Sequence, residues 1–395
     1  MTKIEQVKKH LEANQIDGWL LYDFHGSNSL ARTFLEIPPQ AVTTRRFFYW
    51  IPVKGSPIKL VHAIESHVLD RWPGEKRLFS SWQSLQSELQ TLLKGSKRIA
   101  MEYSPNNSIP YISKVDAGTV DLIRSFGSMV VSSGQFLPYF TAVFNEVQGQ
   151  GLIRTGKALE RIVDDTWKWI ESHLQKKQKI TEYDVQQKML ADFAAADLLT
   201  DNPPIVATNA HSADPHYEPQ RSGSSLICPG DWILLDCWAK EKHPGSIFAD
   251  MARVGIAALY PSAKQQELFH IVREAQAAAT ELVKSRFAAH QPLMGWEVDA
   301  AARSVINEAG YGEFFIHRTG HNIETSVHGS GANMDDLEMH DERPVIPNTA
   351  FSIEPAIYLP NEFGVRLEYD LYVHKDGKVD IVCGEQNAIA TLQVD

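Results

Sequence analysis

Four carboxylates lie on strand-like runs in the second half of this chain, each beside large apolar neighbours. Asp236 closes WILLD, Asp250 lies in SIFADMARV, Glu354 in FSIEPAIY and Glu368 in VRLEYD. A carboxylate inside an apolar strand is costly to bury unless it is paired or bound to a cation. Any one of them alone reads as a strand-end residue facing solvent. All four together, with a Gly-His loop between the second and the third, call for a fold that gathers them at one site.

That loop, HRTGHNIETSVHG, carries His317, His321 and His328. A helix would place His317 and His321 on one face. Gly320, Thr319 and the β-branched Ile323, Thr325 and Val327 argue instead for an extended or looped segment, whose histidines can line a pocket floor. Four carboxylates and one imidazole make an oxygen-rich donor set, which suits Mn²⁺ or Co²⁺ better than a thiolate-type zinc centre. Two ions sharing bridging carboxylates activate water and polarise a carbonyl together. The cysteines, Cys228, Cys237 and Cys383, show no CxxC spacing. They read as reduced thiols of a cytosolic protein, not as a disulfide framework or zinc knuckle.

The chain of 395 residues, with 43% apolar and 22% charged residues, is expected to form two globular domains. Its net charge of −11 argues against nucleic acid or an anionic membrane as partner. The opening MTKIEQVKKHLEANQIDGWLLYDF has no signal-peptide core, so a cytoplasmic location is expected. No apolar run is long enough to span a membrane. In residues 1–150, helix and strand signals alternate. RRFFYWIPV, IKLVHAI and RIAMEY read as strands, and SWQSLQSELQTLLKG as a helix stopped by Gly95. LERIVDDTWKWIESHLQKKQK reads as a long amphipathic helix at the domain junction, followed by a helix capped by Thr181 with Asp184 in its first turn. Residues 151–395 then mix strands with the helices QQELFHIVREAQAAATELVKSRF and EVDAAARSVINEAG. The class is α/β (α+β).

The series Asp236, Asp250, His321 in TGH, Glu354 in SIEP and Glu368 in GVRLE resembles the dinuclear metallopeptidases of the pita-bread fold, which include Xaa-Pro dipeptidase (prolidase), aminopeptidase P and methionine aminopeptidase. Residues 1–150 resemble the creatinase-type N-terminal domain of prolidases and aminopeptidase P. The resemblance implies two divalent ions, Mn²⁺ first and Co²⁺ or Zn²⁺ as alternatives, held by Asp236, Asp250, His321, Glu354 and Glu368. It implies attack by a metal-bridging hydroxide, with Glu354 as proton shuttle and His328 stabilising the tetrahedral intermediate. His317 matches a second pocket histidine and His216 a flap histidine, whereas His211 has no counterpart and reads as a surface loop residue. Arg366 is expected to orient ligand carboxylates and to border the substrate. Arg343, or Arg45 or Arg46 of a neighbouring subunit, is a candidate clamp for a substrate carboxylate. A homodimer is implied.

The chain departs from the family pattern around this set. The two aspartates, usually eleven apart, are fourteen apart, with KEKHPGS in the connecting hairpin. Ile247 stands where a tyrosine is usual, NIET replaces a glycine-rich stretch and brings Glu324 near the pocket, and Gly329 replaces an acid. No ligand is lost. The expected activity is hydrolysis of Xaa-Pro dipeptides. Aminopeptidase P is the runner-up, and a metal-free creatinase-like hydrolase or binding protein is the alternative of another class.

Overall fold

The computed structural model describes residues 1–38 and 40–394. The chain divides into two compact units, Met1–Thr141 and Ala142–Asp395. The boundary expected near residue 150 therefore falls inside a helix of the second unit.

The first unit is a six-stranded sheet covered by helices. Its strands are β1 (Gly18–Asp23), β2 (Phe47–Pro52), β3 (Ile58–His62), β4 (Glu75–Phe79), β5 (Arg98–Met101) and β6 (Met129–Ser132), in the order β4-β3-β2-β1-β5-β6. The β1–β2 and β2–β3 pairs are antiparallel and the rest parallel. The helices are α1 (Lys3–Ala13), α2 (Ser29–Phe34), α3 (Trp82–Leu92), α4 (Ala117–Ser125) and α5 (Pro138–Thr141). In α1 a capping box of Thr2 and Glu5 starts the helix, and Ile4, Val7 and Leu11 are its buried stripe, as their spacing predicts.

The second unit begins with α6 (Glu146–Gln175), much longer than the run read from sequence, and α7 (Glu182–Ala195), closed at its start by the expected Thr181–Asp184 capping box. Next come β7 (Leu198–Leu199) and β8 (Ile205–Thr208), then the hairpin of β9 (Trp232–Glu241) and β10 (Ala249–Ile256). The two helices α8 (Ala263–Ala288) and α9 (Gly295–Glu308) pack on each other. The last strands are β11 (Asn322–Ile323), β12 (Thr349–Ile353), β13 (Ala356–Leu359), β14 (Phe363–Arg366), β15 (Tyr369–Val373), β16 (Val379–Val382) and β17 (Ala390–Thr391). The sheets run β17-β10-β9-β7, with β8 also on β9, and β11-β12-β15-β16, with β13–β14 as a separate ribbon.

Two sequence expectations need correcting. AFSIEPAIYL is not one strand but β12 and β13, broken at Glu354–Pro355. VRLEYDLYVH likewise splits into β14 and β15 at Leu367–Glu368. Both glutamates therefore leave the chain where it changes sheets, not from a strand interior. Pro355 cannot donate to a ladder, which accounts for the first break. Among the described residues no helix is long and apolar enough to cross a membrane.

Candidate metal centre

The hairpin register places the two aspartates. Asp236 pairs with Ala252 and Asp250 with Trp238, so Asp236 and Asp250 are diagonal neighbours. Side chains alternate along a strand, and residues two apart share a face. Both carboxylates thus project from the same side of the β9–β10 ribbon, despite the longer hairpin loop.

His321 and Glu354 are set by backbone pairing between neighbouring segments. The Ser352 N–H donates to His321 O at 2.9 Å, the Glu354 N–H to Thr319 O at 2.7 Å, and the His321 N–H to Ser352 Oγ at 3.0 Å. Gly320 is required by this approach, since a Cβ there would collide with the Ser352 carbonyl oxygen. Fully buried Asp299 fixes the segment from below, accepting from Thr319 N at 2.8 Å and Thr319 Oγ1 at 2.7 Å. Glu368 arrives through its N–H bond to Ala252 O at 3.2 Å.

Asp250, His321 and Glu368 each offer a ligand atom, all within 4.8 Å of one another. His321 Nε2 lies 3.7 Å from Asp250 Oδ2 and 3.5 Å from Glu354 Oε1. Asp236 joins the group through its charge, which raises the pKa of Asp250, Glu354 and Glu368 after burial has done so. Burial pushes the Asp250 and Glu368 carboxyls well above their usual range and Glu354 to about 7. Burial and then the neighbouring His328 hold His321 well below its ordinary value, so it presents a neutral imidazole. Asp236 Oδ1, Asp250 Oδ1 and Glu368 Oε1 are buried without a hydrogen-bond partner. Crowded carboxylates with orphaned oxygens beside a neutral imidazole fit a divalent cation.

The remaining expected residues divide. His328 packs its ring on His321, with centroids 4.4 Å apart. His317 Nε2 lies 2.9 Å from Tyr358 Oη, and burial and then the Arg366 charge lower its pKa to about 3. His216 is exposed, and its charge reaches Asp236 and His328. Arg366 is committed inside the protein: Nη2 bonds Asp236 Oδ2, Nη1 donates to Tyr358 Oη at 2.6 Å and to Pro215 O at 3.4 Å. With its guanidinium spent on Asp236 and Tyr358, its expected place among substrate-contacting groups is corrected to one that holds the Asp236 carboxyl.

Arg343 is a clearer correction. It is fully buried, with Nε 2.9 Å from Asp341 Oδ1, Nη2 2.5 Å from Asp341 Oδ2 and Nη1 2.8 Å from Ser330 O. A guanidinium sealed in this way cannot clamp a substrate carboxylate. Arg343→Ala should cost about 3–5 kcal/mol of stability, because Asp341 is left buried and unpaired. Denaturant unfolding measures it; an unchanged midpoint with a raised KM would return Arg343 to the substrate.

Glu324, expected near the pocket, is engaged within the loop that carries His328. It staples its own loop, accepting from Ser330 N at 2.6 Å, Ser330 Oγ at 2.8 Å and Gly331 N at 3.2 Å. His211 is not a bare surface residue. Its Nδ1 lies 2.9 Å from fully buried Glu182, which also accepts from Thr208 N, Thr208 Oγ1, Tyr217 Oη and Ser225 N. That hub holds the loop bearing His216.

Sequence reasoning missed Tyr358, which joins His317 to Arg366, and Asp370, which is fully buried and accepts the Asp250 N–H at 2.9 Å. Asp370 was open to discovery, because it lies two residues beyond Glu368 in the same apolar run. Tyr358 carried no such signal.

The sequence model of metallopeptidase family M24 matches residues 151–375. The chain belongs to this family. Among curated relatives, this M24 chain is 37% identical to the Xaa-Pro dipeptidase of Lactobacillus helveticus over 44% of its own length and 42% of the relative's. It is 33% identical to the Xaa-Pro dipeptidase of Pyrococcus horikoshii over 47% and 48%. The matched region thus spans about half the length of these relatives. The structure of dipeptidase PepE from Mycobacterium ulcerans superposes with a TM-score of 0.69 at 22% identity, covering 98% of this chain and 96% of that one. A likeness at that identity speaks for the fold, a creatinase-like N-terminal part followed by a pita-bread M24 domain, which is the expected class.

Proposed function

We propose that this chain is a metal-dependent peptidase hydrolysing Xaa-Pro dipeptides, with the second unit, Ala142–Asp395, as its catalytic domain and the first, Met1–Thr141, as a creatinase-like domain. The observation that carries the reading is the convergence of Asp250, His321 and Glu368 around partnerless buried oxygens. Two relatives named Xaa-Pro dipeptidase support the choice of substrate. Asp236, Asp250, His321, Glu354 and Glu368 would hold two divalent ions, Mn²⁺ before Co²⁺ or Zn²⁺. When bound, such ions polarise a carbonyl and bring the deprotonation of water into the neutral range.

The chain's own groups do the rest. Burial raises the pKa of Asp236, and Arg366, bonded to Asp236 Oδ2, works against that rise and aims the carboxyl. Glu354 takes a proton from the attacking water and delivers it to the leaving nitrogen. His328 donates a hydrogen bond where negative charge develops on the scissile oxygen. Proline offers no amide hydrogen and a fixed φ, so its pocket must read ring shape and the terminal carboxylate. His216, His317 and His328 wall that pocket. The charge of Arg318, which reaches His317, His328 and Glu354, supplies the positive field a carboxylate needs. Homodimeric assembly and a cytoplasmic location complete the proposal.

The test is metal analysis of the purified protein, then rates on Ala-Pro, Ala-Pro-Ala and Ala-Ala with Mn²⁺ added. About two ions per chain, fast cleavage of Ala-Pro, weak cleavage of the tripeptide and none of Ala-Ala are expected. A faster tripeptide would make the chain an aminopeptidase P. Failure to bind metal even after reconstitution would leave a creatinase-like hydrolase or a binding protein.

A further inference from the structure

Trp238 stands on the same face of β9 as Asp236, two residues on, directly across the ladder from Asp250. Two residues further on that face, Lys240 bonds the carbonyl oxygen of Thr325, in the loop that carries His328. On its other flank, β7 pairs with β9 at Leu199↔Lys240, and that register continued by two residues brings Asp201 beside Trp238. The indole Nε1 donates to Asp201 Oδ1 at 2.8 Å. The negative charge of Asp201 reaches His328. A half-buried indole is thus bracketed by two carboxylates of the metal set on one side and by the His328 loop on the other. Such a ring fills space above the carboxylates that a smaller residue would leave open. Its bond to Asp201 costs it rotational freedom, which keeps it in place between encounters.

We propose that Trp238 is the specificity-determining wall of the cleft, pinned by Asp201 as its positioning residue, and that it admits only small side chains on the residue before the scissile bond. The assignment to that side rests on the proposed function, in which the histidines surround the proline ring and leave β9 facing the preceding residue.

The test uses Gly-Pro, Ala-Pro, Leu-Pro and Phe-Pro with the metal-loaded full chain. The wild type should favour Gly-Pro and Ala-Pro. In Trp238→Ala, the ratio of kcat/KM for Phe-Pro to that for Ala-Pro should rise about tenfold or more, mainly through KM. Trp238→Phe should keep most of the wild-type ratio by retaining the ring, and Asp201→Ala should move it in the direction of Trp238→Ala by less. Metal content should be equal in all four proteins. An unchanged ratio in Trp238→Ala, or a ratio that moves only with metal content, overturns the proposal. If the wild type cleaves no proline dipeptide, the functional reading fails on its own. Calorimetric titration with the same uncleaved peptides then reads the size limit directly, and equal binding by wild type and Trp238→Ala overturns it.

Discussion

Glu354→Gln should lower turnover of Ala-Pro by about 10²–10⁴-fold, the span of a lost general acid–base group. The substitution keeps shape and one oxygen donor. Ser352 Oγ donates to Glu354 Oε1 at 3.1 Å, a bond the amide oxygen can still accept, and the Glu354 N–H bond to Thr319 O involves only backbone. The variant should therefore fold and retain most of its metal. What it loses is the ability to accept a proton and pass it on. Initial rates at matched metal content measure this, alongside unfolding midpoints. Near-normal turnover would remove Glu354 from the mechanism. Loss of metal in proportion to loss of rate would reduce it to a ligand.

His328→Ala should depress kcat by about 10²–10³-fold, the usual loss for a donor aimed at a developing oxyanion, and leave metal content intact. His328 is exposed on a loop that other groups hold, through Glu324 to Ser330 and Gly331 and through Lys240 to Thr325. Removing the imidazole therefore leaves the loop its anchors. It also removes the ring that packs on His321, so a modest rise in metal Kd is compatible with the assignment. A collapse of metal occupancy is not, and would make His328 part of the ion-holding set.

The ligand candidates and the order in which they occur were legible in the sequence, because an acid among strand-forming apolar residues violates local patterning in a way only a functional constraint sustains. Gly320 was legible only as a signal against a helix; that its lack of a side chain admits the Ser352 carbonyl beside His321 emerges from the fold. Helices with strong local signals, such as α1 and α7 with their capping boxes, were equally readable. The breaks at Glu354 and Glu368 were not, because each run is continuously apolar, and which of its residues changes sheets depends on distant pairing partners. The longer hairpin loop was visible in the sequence as a departure in spacing that costs no ligand. Only the β9–β10 register decides that Asp236 and Asp250 still share a face, since that outcome rests on parity along the two strands and not on loop length. The fates of Arg343 and Arg366 were likewise undetermined by sequence. A guanidinium serves substrate or scaffold according to which carboxylate lies within reach, and Asp341 and Asp236 were placed there by the fold, one as a local partner and the other from more than a hundred residues away. Composition and spacing fix which groups are available for chemistry; which of them meet is a property of tertiary contacts, because hydrogen bonds and ion pairs act over a few ångströms of space regardless of separation along the chain.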